Sequence, residues 1–234
     1  MRAYKTALSQ TPTEDRGIGI AWLLRPCYFF MNMNKTTQPI RSQSDRDKIS
    51  AYLLRKNVRD YALFMLGIFT GRRISDLVAL NVEDVAQIDK RGRFAIKTRL
   101  QIREHKTGKY TDIILHPAAR RALSKYLHKR KRESTWAYLL REPLFKSQKP
   151  RANGELRITK HYVWWILTSA ASSCEINYKI GTHTLRKTFG YMLYRNGTNI
   201  EVIQKAFNHS SPAITLAYIG ITQDDLDEAI LGID

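Results

Sequence analysis

Thr182-His183-Thr184-Leu185-Arg186, followed by Asn208-His209-Ser210-Ser211 and then by Tyr218, is the stretch that decides how the last third of this chain folds. It contains two imidazoles, one guanidinium and one phenol. His183 and Arg186 are three residues apart in a segment with a helical pattern, so both side chains project from one face. A guanidinium fork and a ring donor on one face could contact the same oxyanion. This combination indicates a site that handles one phosphodiester.

Three helices are predicted around these residues. Apolar side chains recur at helical spacing over 184–195, and Asn196-Gly197 supplies a left-handed stop. A second helix is predicted over 200–207, ended by Asn208, which tolerates the left-handed conformation. Ser211-Pro212 has the pattern of an N-cap followed by a first-turn proline, which begins the helix that carries the tyrosine. The three helices bring the polar residues within reach of one another.

The same residues resemble the catalytic boxes of the tyrosine recombinase, or phage integrase, family. That family has one box that reads roughly His-x-x-Arg, and a later box in which a histidine precedes the nucleophilic tyrosine by nine residues. Here these boxes are His183 to Arg186 and His209 to Tyr218. Upstream, Thr70-Gly71-Arg72-Arg73-Ile74-Ser75-Asp76-Leu77 is similar to the family's first arginine box, and His105-Lys106-Thr107-Gly108-Lys109 is similar to its lysine-bearing hairpin turn. Four elements in family order make the resemblance specific, whereas one His-x-x-Arg would be a weak signal.

Three residues depart from the family pattern. Asp76 replaces the usual glutamate and keeps a carboxylate on a shorter side chain. Asn208 replaces the usual glycine, which is conformationally reasonable because asparagine also tolerates the left-handed region. Lys187 follows Arg186 where a histidine is common, at a position outside the catalytic set.

The resemblance implies a chemical role for each matched residue. Tyr218 attacks the scissile phosphate and forms a covalent phosphotyrosine. Arg73 and Arg186 bracket the non-bridging oxygens and stabilise the charge that develops in the transition state. Lys106 gives a proton to the departing 5′ oxygen of the DNA. The full candidate catalytic set is Arg73, Lys106, His183, Arg186, His209 and Tyr218.

The other matched residues support this chemistry. The resemblance implies that His183 is the base or a hydrogen-bond partner, that His209 is a further donor to the phosphate, and that Asp76 orients its neighbours. In the helix predicted over 160–171, we expect one of Trp164 and Trp165 to be buried. The candidate contacts with DNA are Arg72, Lys109, Lys160, His161 and Lys187.

The charge balance indicates the partner independently. The chain has 39 Lys and Arg against 21 Asp and Glu, a net charge of +18 that favours polyanions. Basic residues cluster at Lys129-Arg130-Lys131-Arg132, whereas the acidic residues of the last segment, 222–234, have no basic neighbour within it. Double-stranded DNA is therefore the expected partner, with log affinity falling by about 0.9 per neutralised phosphate as log salt rises.

Length, cysteine count and apolar runs bound the other possibilities. The 234 residues, 43% of them hydrophobic, can bury a substantial core, and two cysteines give no disulfide framework, so a cytoplasmic location is expected. No apolar stretch approaches the ~20 residues of a membrane helix, because Ile18 to Leu24 is cut short by Arg25-Pro26. We see no metal-ligand spacing and no phosphate-binding glycine loop, so no metal and no cofactor are expected.

The remaining patterns predict an α+β fold that is mostly α-helical, the tyrosine recombinase catalytic domain with a small three-stranded antiparallel sheet. Ser44-Asp45 is expected to cap a helix over 48–56, and an apolar helix through Tyr61 and Phe69 should end at Gly71. Further predicted elements are strands over 94–97, 100–104 and 111–115 and helices over 117–129 and 160–171.

Three segments are predicted along the chain: a poorly structured leader over 1–43, a catalytic domain over 44–221, and a C-terminal helix over 222–234 that docks on a neighbouring protomer. A start at Met31 or Met33 would give a shorter protein. The leader is too short for the DNA-clamping domain of typical family members, so the chain resembles a catalytic-domain-only form, as in the fimbrial inversion recombinases, or a truncated integrase. The grip on DNA would then depend on the catalytic domain itself, on self-association into a dimer or tetramer, or on an accessory DNA-bending protein.

Two functions of different class stay open. One is a site-specific recombinase of the integrase, invertase or resolvase type, and the other is a non-catalytic DNA-binding regulator derived from a recombinase. The complete set of matched residues argues against decay of the site. An RNA-binding module is a more distant possibility, because no single-strand stacking motif is present. The target sequence depends on a few side chains whose placement in a groove the sequence does not give.

Overall fold

The computed structural model describes residues 36–106, 108–131, 135–150, 152–221, 225, 227 and 230–233, and the structural statements below concern these residues. The helices are α1 (Gln43–Lys56), α2 (Val58–Thr70), α3 (Ile74–Ala79), α4 (Val82–Val85), α5 (Pro117–Lys131), α6 (Trp136–Leu140), α7 (Lys160–Ser173), α8 (Thr184–Arg195), α9 (Ile200–Phe207) and α10 (Pro212–Ile219). The strands are β1 (Ala86–Ile88), β2 (Phe94–Ile96), β3 (Arg99–Arg103) and β4 (Tyr110–Ile114). The mostly helical α+β class is confirmed.

Helix α2 is buried in the main core because it is apolar on almost every side. Phe64 in its middle is fully buried, and the helix packs against α1, α5 and α8. The side chain of Asn57 caps its start, and Gly71 ends it in the left-handed conformation with a φ of 61°. That sharp end on a buried helix fixes where Arg73 begins the next segment.

The strands form two separate sheets rather than the one three-stranded sheet expected. β1 pairs with β2 and β3 pairs with β4, both antiparallel. The pattern of β1 was missed, since three residues directly after the one-turn helix α4 are too few to show alternation. The amide of Lys97 bonds to the Val85 carbonyl in the first sheet region, whereas the carbonyl of Thr98 accepts from Leu115 beside the second. The chain therefore changes sheets between two adjacent residues.

The three C-terminal helices agree with their predictions. α8 and α9 have the predicted bounds, and Asn208 ends α9 in the left-handed region with a φ of 54°. Ser211 caps α10, and a proline follows in its first turn. At the other end of the chain α1 differs, because its N-cap is Ser42, which accepts from the Asp45 amide at 3.3 Å, and not Ser44.

A small cluster of buried residues joins α8, α9 and α10. It consists of Tyr191, Ile203, Phe207 and Ile219, and Tyr218 packs against it. Gly190 allows the close approach, because a Cβ there would lie 2.6 Å from both the Phe207 ring and the Ile219 side chain. The cluster thus sets the distance between α8 and the helix that carries Tyr218.

The ends of the chain are described only in part. Residues 1–35 of the predicted leader and most of the predicted exchange helix over 222–234 lie outside the described residues. Ile40 is fully buried and its amide donates to Oγ1 of Thr188 at 2.8 Å, so the packed part of the chain begins before residue 43. Arg41 pairs with Asp225 at 3.0 Å. The domain boundaries stay predictions. No helix in the described ranges combines the length and the apolar character that crossing a membrane requires.

Candidate active site

Tyr218 lies near the end of α10, with its hydroxyl 3.3 Å from Nδ1 of His183. Its ring meets the ring of His209 edge-on at a centroid distance of 5.0 Å. Burial raises the pKa of the phenol, and the charges of Arg186 and Arg73 act in the opposite direction. The hydroxyl is therefore protonated at neutral pH and needs a base if it is to react as a nucleophile.

Arg186, in the first turn of α8, is buried and ties three segments together. Its Nη1 donates to the Gly71 carbonyl at 2.7 Å, and its Nη2 donates to the Phe207 carbonyl at 2.9 Å. Burial, and then the charge of Arg72, lower its pKa to about 10, so the guanidinium is charged at neutral pH. Arg186 therefore joins the ends of α2 and α9 to the start of α8.

His183 is the N-cap residue of α8, and although part of its surface is exposed, its ring lies against the Tyr218 hydroxyl. Its pKa is lowered, first by desolvation and then by nearby positive charges, those of Lys187, Arg186, Arg73 and Lys106. The neutral imidazole is favoured as a result. With Nδ1 unprotonated, the ring can accept the proton of the Tyr218 hydroxyl.

The lowered pKa of His183 predicts the pH dependence of DNA cleavage. At subsaturating DNA the rate reports groups of the free enzyme, so we expect the acid limb to have its midpoint below the ordinary histidine value of 6.5. As pH falls through the lowered pKa, the imidazole gains a proton and can no longer act as a base. Replacing Lys187 with glutamine removes a positive neighbour, which should raise the pKa of His183 and move the limb towards 6.5.

Initial cleavage rates over the acid and neutral range measure this limb. His183→Gln is the control, because its slow residual cleavage should lose the limb. A limb centred above 6.5 in the unmodified protein, or one that persists in His183→Gln, would contradict the assignment of His183 as the base.

Arg73 is the N-cap residue of α3 and follows the sharp end of α2. Its Nη1 donates to Oε2 of Glu104 at 2.6 Å, and its side chain is 23% exposed. Glu104 directly follows β3 and is buried. It was not among the predicted site residues, because a single glutamate beside a strand pattern is an ordinary surface signal.

Two of the predicted DNA contacts, Arg72 and Lys187, have buried side chains. Arg72 is 2% exposed and donates to Glu104 and to the Ala206 carbonyl. Lys187 is 9% exposed, and its ammonium donates to the Thr37 carbonyl at 2.7 Å. Sequence did not distinguish these cations from surface ones, because burial of a charge depends on partners that distant segments supply.

The turn between β3 and β4 carries Lys106, which is exposed. Oδ1 of the buried Asp76 accepts from the His105 amide at 3.0 Å. Gly108 takes a φ of 65°, which a tight turn needs and glycine adopts without strain. Thr107 lies outside the described residues. Asp76 therefore holds the turn beside the segment that carries Arg72 and Arg73.

His209 follows the left-handed Asn208, and its Nδ1 lies 3.2 Å from Oγ1 of Thr215 on α10. Burial lowers its pKa, and the charges of two nearby arginines lower it further. Lys109, predicted to contact DNA, donates from Nζ to Oδ1 of Asn208 at 2.6 Å. The asparagine that replaces the family's glycine thus joins the hairpin to the turn before His209.

The start of α7 is an exposed basic and aromatic surface. Lys160 and His161 are exposed, and the ring of His161 stacks on Trp164 with 5.5 Å between centroids. Trp164 is 44% exposed and Trp165 is 54% exposed, so the prediction that one of them is buried is wrong. Lys160 and His161 stay candidate contacts with DNA.

The fold thus collects one phenol, two imidazoles and several cations from separate segments. Lys106 belongs to this group, since its charge acts on His183. Within the part of the chain that the structure describes, no group of three or more histidine, cysteine, aspartate and glutamate side chains is arranged to hold a metal ion. Fold and site together define the tyrosine recombinase catalytic domain as the class of protein.

A family model described as the phage integrase family matches residues 42–224. The chain therefore belongs to the phage integrase family. The probable integrase/recombinase YoeC of Bacillus subtilis (strain 168) is 39% identical over 187 residues, which cover 80% of this chain and 91% of that protein. The tyrosine recombinase XerA of Pyrococcus furiosus is 26% identical over 196 residues, which cover 84% of this chain and 62% of that protein.

Solved structures share the fold. The crystal structure of XerA recombinase has a TM-score of 0.62 at 23% identity, covering 83% of this chain and 65% of that one. The XerH recombinase bound to its palindromic difH substrate, in a post-cleavage complex, has a TM-score of 0.60 at 21% identity, covering 84% of this chain and 53% of that one. This chain therefore covers between about half and two thirds of the length of the XerA and XerH proteins.

Proposed function

We propose that this chain is a site-specific recombinase that cleaves and rejoins double-stranded DNA through a covalent bond between Tyr218 and a 3′ phosphate. The observation that carries the proposal is the Tyr218 hydroxyl 3.3 Å from His183, with the charges of Arg186 and Arg73 acting on it. Membership of the phage integrase family supports the reaction class.

In the proposed cleavage step, the Tyr218 oxygen bonds to phosphorus while the bond from phosphorus to the 5′ oxygen breaks. His183 accepts the phenol proton, because its lowered pKa keeps the imidazole neutral. Lys106 gives a proton to the departing 5′ oxygen. Arg73 and Arg186 stabilise the charge on the non-bridging oxygens, since a planar guanidinium can donate to two phosphate oxygens at once.

Rejoining is the same step in reverse. A 5′ hydroxyl gives its proton to the neutral Lys106 amine and attacks the phosphotyrosine, while the bond from phosphorus to the Tyr218 oxygen breaks and that oxygen takes its proton back from His183. Because the phosphodiester energy is kept in the phosphotyrosine, strand joining proceeds without a nucleotide cofactor. The choice of the incoming 5′ end decides whether the DNA is restored or recombined.

The proposed partner is duplex DNA, consistent with a net charge of +18. Lys160 and His161 are available to phosphates at the exposed start of α7. Recombination joins two sites, so we also propose self-association into a dimer or tetramer on DNA, with an accessory DNA-bending protein as a possible addition. The cytoplasm is the proposed location, where the protein would meet DNA.

The proposal is tested with a nicked duplex whose sequence is taken from the DNA on either side of the gene. Loss of a short fragment after cleavage prevents rejoining, so a covalent protein–DNA adduct should accumulate and withstand denaturation. Tryptic peptides should place the 3′ phosphate on Tyr218. Tight duplex binding with no adduct would instead support the non-catalytic regulator.

A further inference from the structure

Glu104 is buried in the structure, and each of its carboxylate oxygens accepts from a different arginine. Oε1 accepts from Nη1 of Arg72 at 2.7 Å, and Oε2 accepts from Nη1 of Arg73 at 2.6 Å. Its side chain is 5% exposed. A buried carboxylate is stable as an anion only with such partners, so its position is tightly constrained.

Arg72 is a fixed anchor for this carboxylate. It is 2% exposed, its Nε donates to the Thr70 carbonyl at 3.2 Å, and its Nη2 donates to the Ala206 carbonyl at 3.0 Å. Arg73 differs, since its side chain is 23% exposed and open to solvent on one side. Glu104 therefore connects a buried, hydrogen-bonded arginine to the arginine that is proposed to contact the phosphate.

The backbone of Glu104 also closes the turn that carries Lys106. The Glu104 amide donates to the Lys109 carbonyl, and the Gly108 amide donates to the Glu104 carbonyl, both at 2.8 Å. From the opposite direction, Asp76 on α3 accepts from the His105 amide at 3.0 Å. Two carboxylates thus join the hairpin to the segment that carries Arg72 and Arg73. Glu104 belongs to the hairpin and accepts from the arginines, whereas Asp76 belongs to α3 and accepts from the hairpin backbone.

We propose that Glu104 is a positioning residue, which fixes the Arg73 guanidinium for the scissile phosphate and couples it to the hairpin that carries Lys106. This inference rests on the proposed recombinase function. Glu104 does not touch DNA and acts through Arg73. A displacement of about 1 Å in a positioned catalytic group can cost about 10²-fold in rate, so the loss of this carboxylate should slow cleavage strongly.

The proposal separates binding from catalysis. Glu104→Gln keeps the size of the side chain but removes one negative charge from a site that binds an anion. Its affinity for duplex DNA should therefore stay the same or increase, while its cleavage rate at saturating DNA falls by about 10- to 100-fold. A variant that merely unfolds part of the protein would lose affinity and rate together.

A double-mutant cycle with Arg73→Ala tests the route of the effect. If Glu104 acts through Arg73, adding Glu104→Gln to Arg73→Ala should slow cleavage no further, because the group that Glu104 positions is already gone. Single-turnover adduct formation on the nicked duplex gives the rates. Asp60→Asn is the matched control, since Asp60 is also a buried carboxylate paired with an arginine, Arg59, but lies near the far end of α2, about 15 Å from its last turn.

Glu104→Asp keeps the charge on a shorter side chain and covers the case in which Glu104→Gln folds poorly. It should also lower the rate with unchanged affinity. The proposal would be overturned if both variants cleave at a rate within about threefold of the unmodified protein. It would also be overturned if the rate losses of Glu104→Gln and Arg73→Ala multiply in the double variant, or if Asp60→Asn loses as much rate as Glu104→Gln. If the unmodified protein forms no adduct, the recombinase function itself fails, which is a separate result.

Discussion

Tyr218→Phe is expected to abolish the covalent adduct and to lower DNA cleavage by about 10⁴-fold or more, with duplex binding unchanged. The phenyl ring keeps the edge contacts with Phe207 and His209, whose centroids lie 5.6 and 5.0 Å away. The change removes the hydroxyl, with its contact to His183 and its interaction with Arg186. Because that hydroxyl is the proposed nucleophile, no other change in the molecule is needed to stop the reaction.

Adduct formation on the nicked duplex measures cleavage, and a binding titration at fixed salt measures the affinity for duplex DNA. Tyr191→Phe is the matched control, since Tyr191 is a buried tyrosine of the same small cluster and has no proposed chemical role. It should form the adduct at nearly the rate of the unmodified protein. An adduct that persists in Tyr218→Phe would show that a different side chain attacks the phosphate.

Arg186→Ala should reduce both cleavage and stability. Removing a charged donor from the phosphate site is expected to cost about 10²- to 10³-fold in rate. The Gly71 and Phe207 carbonyls, which accept at 2.7 and 2.9 Å, also lose their buried donor. At roughly 1–2 kcal/mol for each orphaned carbonyl, the free energy of unfolding should fall by about 2–4 kcal/mol.

Arg186→Lys separates the two roles of this arginine. A single ammonium keeps the charge but cannot donate in a planar fork to two carbonyls and a phosphate together, so most of the rate and part of the stability should still be lost. Arg195→Lys, at the exposed end of the same helix, should change neither. Denaturant unfolding and single-turnover cleavage give the two readouts, and full activity of Arg186→Lys would exclude the bidentate role.

The sequence predicted the elements that short-range patterns specify. α8 and α9 have their predicted bounds because apolar spacing and a left-handed stop are both local signals. Asn208 was expected to adopt a left-handed conformation and has a φ of 54°. The strand β1 was not predicted because it is only three residues long. Without it, the division of the strands into two sheets could not be predicted either.

The candidate site was predicted in its chemistry but not in its internal contacts. The motifs selected the residues that the fold brings near Tyr218, including His183 and Arg186. Glu104 gave no signal, and Arg72 and Lys187 were placed at the DNA surface although both are buried. The catalytic and DNA-binding roles of the predicted site residues stay predictions until the variants are measured.

The sequence by itself determined the helices of the last third, the class of fold and the set of groups that could handle a phosphodiester. Only the tertiary structure decided that Glu104 lies between Arg72 and Arg73, and that Arg186 joins Gly71 to Phe207. The physical reason is range. A helix and its cap depend on residues a few positions apart, whereas the contact from Arg186 to Gly71 spans 115 positions and forms only when α2 and α8 pack together.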